Sequence, residues 1–414
     1  MNSRAERQDV TTIIEGGITA PHGYRAAGAH VGIKKKMKDM ALISSEVPAV
    51  CAGCFTQNSV KAAPVLWDMQ QVCNPIHGVI VTSGNANACT GPAGLPDTQA
   101  MATAFAGQLG ARPQNILVCC TGVIGVPLPM PTVLAGITKV TPRLNRGPDA
   151  AKDAAKAICT TDTFVKEVAV EFTIDGKTVT VGGMAKGSGM IHPNMATLLA
   201  FVTTDAAITR ESLQQALTDC VADSFNMISV DGDMSTNDTI LALANGLADN
   251  AEITAPSPDF DAFRAALAIV CRKLAQDIAR DGEGATKFVE VTTTGARSTR
   301  DAKLISRSVV SSNLVKTALF GADANGGRVL AAAGYSGASF DPDGIDVTFA
   351  SPAGELPLFR AGSPVPFDEA WAKTVLQEHD IQILIGLAEG DAQATAWGSD
   401  LSYDYVRING DYRS

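Results

Sequence analysis

The sequence predicts a mixed α/β protein, and three observations lead there. Short apolar runs bounded by turn residues, such as residues 78–82 and 116–120, have the length and composition of buried strands. Longer stretches space apolar side chains three and four apart, as Phe260, Phe263, Leu267, Val270, Leu274 and Ile278 do. The 414 residues are 46% hydrophobic, enough to fill the cores of two domains or of two interlocked halves.

Composition narrows the partners. Lys and Arg number 33 against 43 Asp and Glu, a formal net charge of -10, which disfavours nucleic acid and anionic membranes because both require a clustered basic surface. One basic run exists, Lys34-Lys35-Lys36-Met37-Lys38. It reads as a solvated loop, or alternatively as a local attraction for an anionic substrate. The polar start, residues 1–12, lacks the apolar stretch of a signal peptide, and no window approaches the roughly 18 apolar residues of a membrane span. A cytoplasmic protein is expected. Nine cysteines in no regular spacing fit reduced thiols better than a disulfide framework. Cys51 and Cys54 have C-x-x-C spacing, but no second such pair and no close pair of histidines accompanies them, so no metal is expected.

In chain order, residues 16–24 open the ordered part with turn residues. Residues 41–56 and 78–82 read as strands, the second followed by a small polar loop, residues 83–91, whose backbone amides a ligand can approach. A helix is expected over 97–109, with Met101, Phe105 and Leu109 along one face. The strand at 116–120 delivers Thr121-Gly122, a hydroxyl followed by an unobstructed backbone N–H, the parts of an oxyanion hole; such a pair also makes a plain turn. A polar linker at 142–149 precedes a short helix at 150–158. The cluster Thr160-Thr161-Asp162-Thr163 then reads as a helix end or turn.

Residues 168–172 and 178–181 form a hairpin around Asp175-Gly176. Thr209 caps a helix carrying Leu213, Leu217, Cys220 and Val221. Residues 231–238 look like a calcium loop but lack its central glycine and closing glutamate. The long helix through Ile278 stops at Asp281-Gly282-Glu283-Gly284, an acidic glycine turn, and residues 287–294 return as a strand. A helix begins at Asn313. Strands at 345–350 and 381–387 flank a helix at 367–378, and the C-terminal residues belong to the class that usually frays.

The most informative stretch is residues 186–202, KGSGMIHPNMATLLAFV. It joins a glycine turn and a Pro-Asn turn to Ala196-Thr197 and an apolar run. Ala196 puts no bulk beside the following peptide bond, so the Thr197 hydroxyl can attack the preceding carbonyl if the turns strain it. Hydrolysis would leave Thr197 with a free α-amine, of ordinary pKa roughly 7.7–8.0, able to take the proton of its own hydroxyl. A glycine-proline loop entering a buried strand has the same residues.

Residues 186–206, KGSGMIHPNMATLLAFVTTDA, resemble the signature of the ornithine acetyltransferase (glutamate N-acetyltransferase) family, and further similar segments run from Gly16 to the C-terminus. The resemblance implies self-cleavage between Ala196 and Thr197, with Thr197 the nucleophile and Thr121 and Gly122 the oxyanion hole. It implies substrate contacts by Thr160, Lys186, Thr197, Glu283, Asn409 and the last residue, Ser414. It also implies a layered α-β-β-α sandwich built jointly by an α fragment, 1–196, and a β fragment, 197–414, which pair and assemble further as an α2β2 heterotetramer. Two departures stand out: Gly326 where relatives usually carry tryptophan, which puts the adjoining pocket wall in question, and Arg413 near the end.

The implied activity moves acetyl from N-acetylornithine to glutamate through acetyl-Thr197, without a coenzyme, by ping-pong kinetics. Many relatives also take acetyl-CoA as a donor substrate. The alternatives are an ornithine-only transacetylase, a self-processed aminopeptidase or amidohydrolase using the same nucleophile, and a non-catalytic binding protein if Thr197 stays uncleaved.

Overall fold

The computed structural model describes residues 11–192 and 198–411. The first part of the chain folds as β1 (Thr12–Ile14), β2 (Tyr24–Ala29), β3 (Met40–Phe55), α1 (Ala63–Gln71), β4 (Ile76–Asn85), α2 (Gly94–Leu109), β5 (Ile116–Val123), α3 (Met130–Val140), α4 (Pro148–Ile158), β6 (Lys166–Ile174) and β7 (Lys177–Lys186). It continues as β8 (Leu199–Thr204), α5 (Arg210–Ala222), β9 (Ile228–Ser229), β10 (Thr239–Ala244), α6 (Pro258–Arg280), β11 (Phe288–Ala296), α7 (Thr299–Ser311), α8 (Asn313–Phe320) and α9 (Gly326–Gly334). The last elements are β12 (Asp346–Ser351), β13 (Gly354–Arg360), β14 (Ser363–Pro364), α10 (Glu369–Gln377), β15 (Asp380–Gly386), β16 (Ala392–Ser399) and α11 (Tyr403–Gly410).

The first sheet runs β1-β6-β7-β8-β10-β3-β4-β5, with β2 on the free side of β3. It folds back on itself along β3, whose two halves pair with different partners: residues 50–55 with β10, residues 40–49 with β4. Alternation on each strand then builds three apolar layers. Ala41, Ile43, Val79, Val81 and Leu117 face Met184, Leu199, Phe201, Leu241 and Leu243 in the middle layer. The opposite faces of β3, β4 and β5 put Leu42, Ile80 and Val118 under Met101 and Phe105 of α2 and Val133 and Ile137 of α3. The opposite faces of β7, β8 and β10 put Val181, Val202 and Ile240 against Leu213 and Leu217 of α5 and Phe263, Leu267 and Val270 of α6. Helices, sheet, sheet, helices: this is the expected α-β-β-α sandwich.

A second sheet, β14-β13-β12-β15-β11-β16-β9, is made wholly of residues after 197 and shares the apolar cluster of α6. Nothing in the sequence pattern announced it as a separate sheet. Gly326 belongs here, and the structure corrects the expectation attached to it. An added Cβ would lie 2.8 Å from Phe359 Cε2 and 3.0 Å from Leu358 Cβ, so position 326 packs on β13 and not on the wall of the cavity described below.

Candidate active site

Two strand ends, the turns after two helices and the C-terminal helix converge on a cavity of about 220 Å³. Its lining includes Thr121 and Gly122 at the end of β5, Thr160 after α4, Lys186 at the end of β7, Glu283 beyond α6 and Asn409 on α11. All six belong to the residues singled out above. Leu198 also lines it. Ala196, Thr197, Arg413 and Ser414 lie outside the described residues, but Thr197 is covalently next to Leu198.

Gly122 has φ +134°, and a Cβ there would sit 2.3 Å from the Gly84 carbonyl carbon and 2.5 Å from Asn85 N. Only glycine fits. β4 and β5 run parallel up to this point, and the bend beyond them is fastened by buried amides. Asn237 Nδ2 donates to Ala86 O at 2.6 Å and to Cys120 O at 2.9 Å, while Asn85 Nδ2 donates to Val126 O at 2.8 Å. Those bonds fix the backbone on either side of Thr121 before any ligand arrives. Residues 83–85 therefore end β4, and Asn85 is structural; the loop begins only after them.

Below Thr160 and Lys186 lies a buried ionic cluster. Lys166 Nζ is 2.7 Å from Asp162 Oδ1 and 2.5 Å from Asp281 Oδ2, with all three side chains at most 2% exposed. Asp162 also accepts the N–H groups of Thr160 at 2.9 Å and Gly187 at 2.8 Å. Asp281 accepts the N–H of Thr163 at 3.0 Å, and its backbone carbonyl takes the Ser188 hydroxyl at 2.5 Å. Burial alone would raise the Asp162 carboxyl, but the charges of Lys186 and Lys166 outweigh it and hold it at about 2. One network thus positions the backbone at Thr160, at Lys186-Gly187 and at the turn carrying Glu283.

Lys186 is 8% exposed, and its side chain makes no hydrogen bond or ion pair within 4 Å among the described residues, although its charge acts on Asp162. Glu283, also 8% exposed, accepts from Asn409 Nδ2 at 2.7 Å. Gly189 lets the carboxylate in: a Cβ there would come within 2.2–2.6 Å of three Glu283 carboxyl atoms. The cavity lining therefore carries one ammonium, Lys186, and two carboxylates, Glu283 and Asp238, with backbone and hydroxyl donors at Thr121-Gly122. Such a site can take a small zwitterion by both ends and place an acyl group against N–H and O–H donors.

Near the C-terminus, residues of a class that usually frays form the helix α11. Ser402 caps it through the N–H groups of Asp404 and Tyr405, and Ser402 Oγ–H donates to Gly284 O at 2.5 Å. Asp231, in the loop that looks like a calcium site, acts as a clamp. Its carboxylate accepts the N–H of Met190 at 2.5 Å, the N–H of Ile191 at 2.8 Å and the Tyr405 hydroxyl at 3.2 Å. It ties the segment leading to residue 196 to α11. The sequence hints that were missed are Asp162 four residues before Lys166, and an acidic loop with no metal geometry left to explain it.

A family model described as the ArgJ family matches residues 25–414. The arginine biosynthesis bifunctional protein ArgJ of Symbiobacterium thermophilum is 53% identical over 405 residues, spanning 97% of this chain and 99% of its own. The protein of the same name from Caldanaerobacter subterraneus subsp. tengcongensis is 51% identical over 403 residues, spanning 97% of this chain and 100% of its own. Among solved structures, ornithine acetyltransferase complexed with ornithine from Mycobacterium tuberculosis aligns at 45% identity and TM-score 0.43, over 45% of this chain and 100% of its own.

Proposed function

The chain belongs to the ArgJ family, and from that premise we propose that it is the acetyltransferase of arginine biosynthesis that moves acetyl from N-acetylornithine to glutamate. The observation that supports this reading best is the convergence of Thr121, Gly122, Thr160, Lys186, Glu283 and Asn409 on one cavity that Leu198 also lines.

The chain cuts itself between Ala196 and Thr197, and the new α-amine takes the proton of the Thr197 hydroxyl. The oxygen attacks the acetamide carbon, and the Thr121 hydroxyl and Gly122 N–H receive the developing oxyanion. Glu283 takes the side-chain ammonium of ornithine, and Lys186 takes the α-carboxylate, so the N-acetyl group reaches the nucleophile in one register. Collapse transfers the proton from the α-amine to the leaving nitrogen, and ornithine departs. Glutamate then enters and its amine attacks acetyl-Thr197, with Lys186 holding a carboxylate again. The cycle needs no coenzyme. Thr160 and Ser414 complete the substrate contacts, and acetyl-CoA serves as a second donor to the same threonine.

The two fragments, 1–196 and 197–414, remain paired, and two such pairs form an α2β2 heterotetramer. No helix among the described residues is long and apolar enough to cross a membrane, which agrees with a cytoplasmic setting.

The decisive experiment is intact mass spectrometry under denaturing conditions. Two fragments broken at residue 196 are expected, with the mass of one acetyl group added to the second fragment after incubation with N-acetylornithine alone. A full-length chain that stays whole, or an acetyl group lost to water as fast as it is gained, would overturn transfer through Thr197.

A further inference from the structure

Next to the cavity lies a second hollow of about 370 Å³, and the two share a wall. Thr160 and Thr161 face the first, whereas Cys159, Asp162 and Thr163 face the second. The other side of the second hollow is formed by Met37 and Lys38 of the basic run, with Lys156 and Phe164.

The lysine run is only partly the solvated loop it was expected to be. The buried Asp39 carboxylate gathers the N–H groups of Val31, Gly32, Ile33 and Lys34 at 2.6–3.1 Å, which folds the loop tightly. Lys34 turns inward: its Nζ donates to Cys159 O at 2.5 Å and to Lys38 O at 3.1 Å. The basic loop is thereby pinned to the wall the two cavities share.

What remains outside has a distinct chemistry. Lys35 and Lys36 on the loop and Lys152 and Lys156 on α4 are exposed, and none of the four makes an ion pair within 4 Å among the described residues, although Lys152 and Lys156 act electrostatically on Glu167. Lys38 is engaged by Asp153. In a chain of net charge -10 this concentration of unpaired cations is local. Two apolar side chains are also left in water here, Met37 at 51% exposure and Phe164 at 39%. Unpaired lysines attract phosphate, and an exposed aromatic ring offers a face on which a base can stack. N-acetylornithine needs neither, because its carboxylate and its ammonium are already matched by Lys186 and Glu283.

We propose that this hollow docks the phosphorylated nucleotide end of an acyl-thioester donor, the 3′-phosphorylated ADP of acetyl-CoA, whose thioester arm passes the Thr160–Asp162 wall to Thr197. The proposal rests on the two-donor reading above. In that step the Thr197 oxygen bonds to the acetyl carbon, the carbon–sulfur bond breaks, and the departing sulfur receives the hydroxyl's proton through the α-amine.

The test is the double substitution Lys36→Glu with Lys156→Glu, and separately Phe164→Ala. The Michaelis constant for acetyl-CoA is expected to rise at least about tenfold in the double variant, and competition by 3′,5′-ADP is expected to disappear. The rate from N-acetylornithine, which also reports correct folding, stays within about twofold. An unchanged acetyl-CoA constant in an enzyme that uses acetyl-CoA overturns this docking site and leaves the two-donor reading standing. A wild-type enzyme that neither uses acetyl-CoA nor binds 3′,5′-ADP, while still transferring acetyl from N-acetylornithine, overturns both.

Discussion

Gly122→Ala probes the oxyanion site most directly, and Gly125→Ala provides its control. Both glycines have positive φ, +134° and +80°, so each substitution introduces backbone strain of about 1–3 kcal/mol. Their surroundings differ. At 125 an added Cβ meets nothing within 4 Å, whereas at 122 it falls 2.3–2.7 Å from Gly84 C, Asn85 N and Gly84 O. Those are backbone atoms of the adjoining strand, so no rotamer change relieves the overlap, and β5 has to move away from β4 by an appreciable fraction of an ångström or more. The N–H of residue 122 moves with it. Loss of one well-placed oxyanion donor lowers kcat by about 10²–10³-fold. We expect Gly122→Ala to lose activity on that scale in steady-state transfer from N-acetylornithine to glutamate, and Gly125→Ala to lose thermal stability with kcat nearly intact. Equal kcat values for the two variants would refute the assignment of Gly122, because strain alone would then account for both.

Further predictions concern charge and positioning. Lys166→Met strands the Asp162 and Asp281 carboxylates and is expected to cost about 3–5 kcal/mol of stability in urea unfolding, the cost of breaking a buried pair from one side, and less at acid pH where the Asp162 carboxyl protonates. Because the Asp162 carboxyl is held at about 2, below its unfolded value, its contribution is complete above about pH 4 and is lost as pH falls toward 2; a urea midpoint falling between pH 4 and pH 2.5 in the wild type, with a shallower fall in Lys166→Met, checks the sign. Glu283→Gln removes a charged acceptor and should raise the Michaelis constant for N-acetylornithine by about 10–100-fold, measured beside that for glutamate. Asp231→Asn releases one of the N–H groups of Met190 and Ile191 and should slow self-cleavage, followed on a denaturing gel, with the folded state retained.

Where local chemistry decides, the sequence was a good guide. Asp175 and Gly176 adopt φ +47° and +78° between paired Ile174 and Lys177, the hairpin their residue types indicate. Thr209 caps α5, and the apolar stripe of α6 is buried as spaced. The elements that escaped had their stabilisation elsewhere. α3, for which no element is predicted above, follows Pro127 and Pro129 and holds Pro131 in its first turn, where a missing N–H costs nothing. α11 buries none of its residues and is held by a serine cap and the Asn409–Glu283 bond, neither visible as periodicity. The pairing of β8 parallel to β10, and the double use of β3, follow from three-dimensional packing alone. Of the site, Thr121-Gly122 has the residue types of an oxyanion hole but also those of a plain turn, so its role, like those of Thr160, Lys186, Glu283 and Asn409, came from resemblance.

The same packing explains how a chain can be cut at its centre and keep its site. β7 and β8, on opposite sides of residue 196, are paired from Val181↔Thr204 to Lys186↔Leu199. The middle layer mixes Met184 with Leu199 and Leu241, and the outer layer mixes Val170 with Phe263 and Val270. Lys166 and Asp162 of the first segment meet Asp281 of the second in a dry ion cluster. None of these contacts depends on the peptide bond at residue 196, so the proposed fragments would stay held by strand pairing, apolar burial and the buried ion cluster. The covalent break then has one local consequence. Under the proposed cut it would free an amine on the residue that precedes Leu198, itself part of the cavity lining, and so would supply the proposed nucleophile with its base.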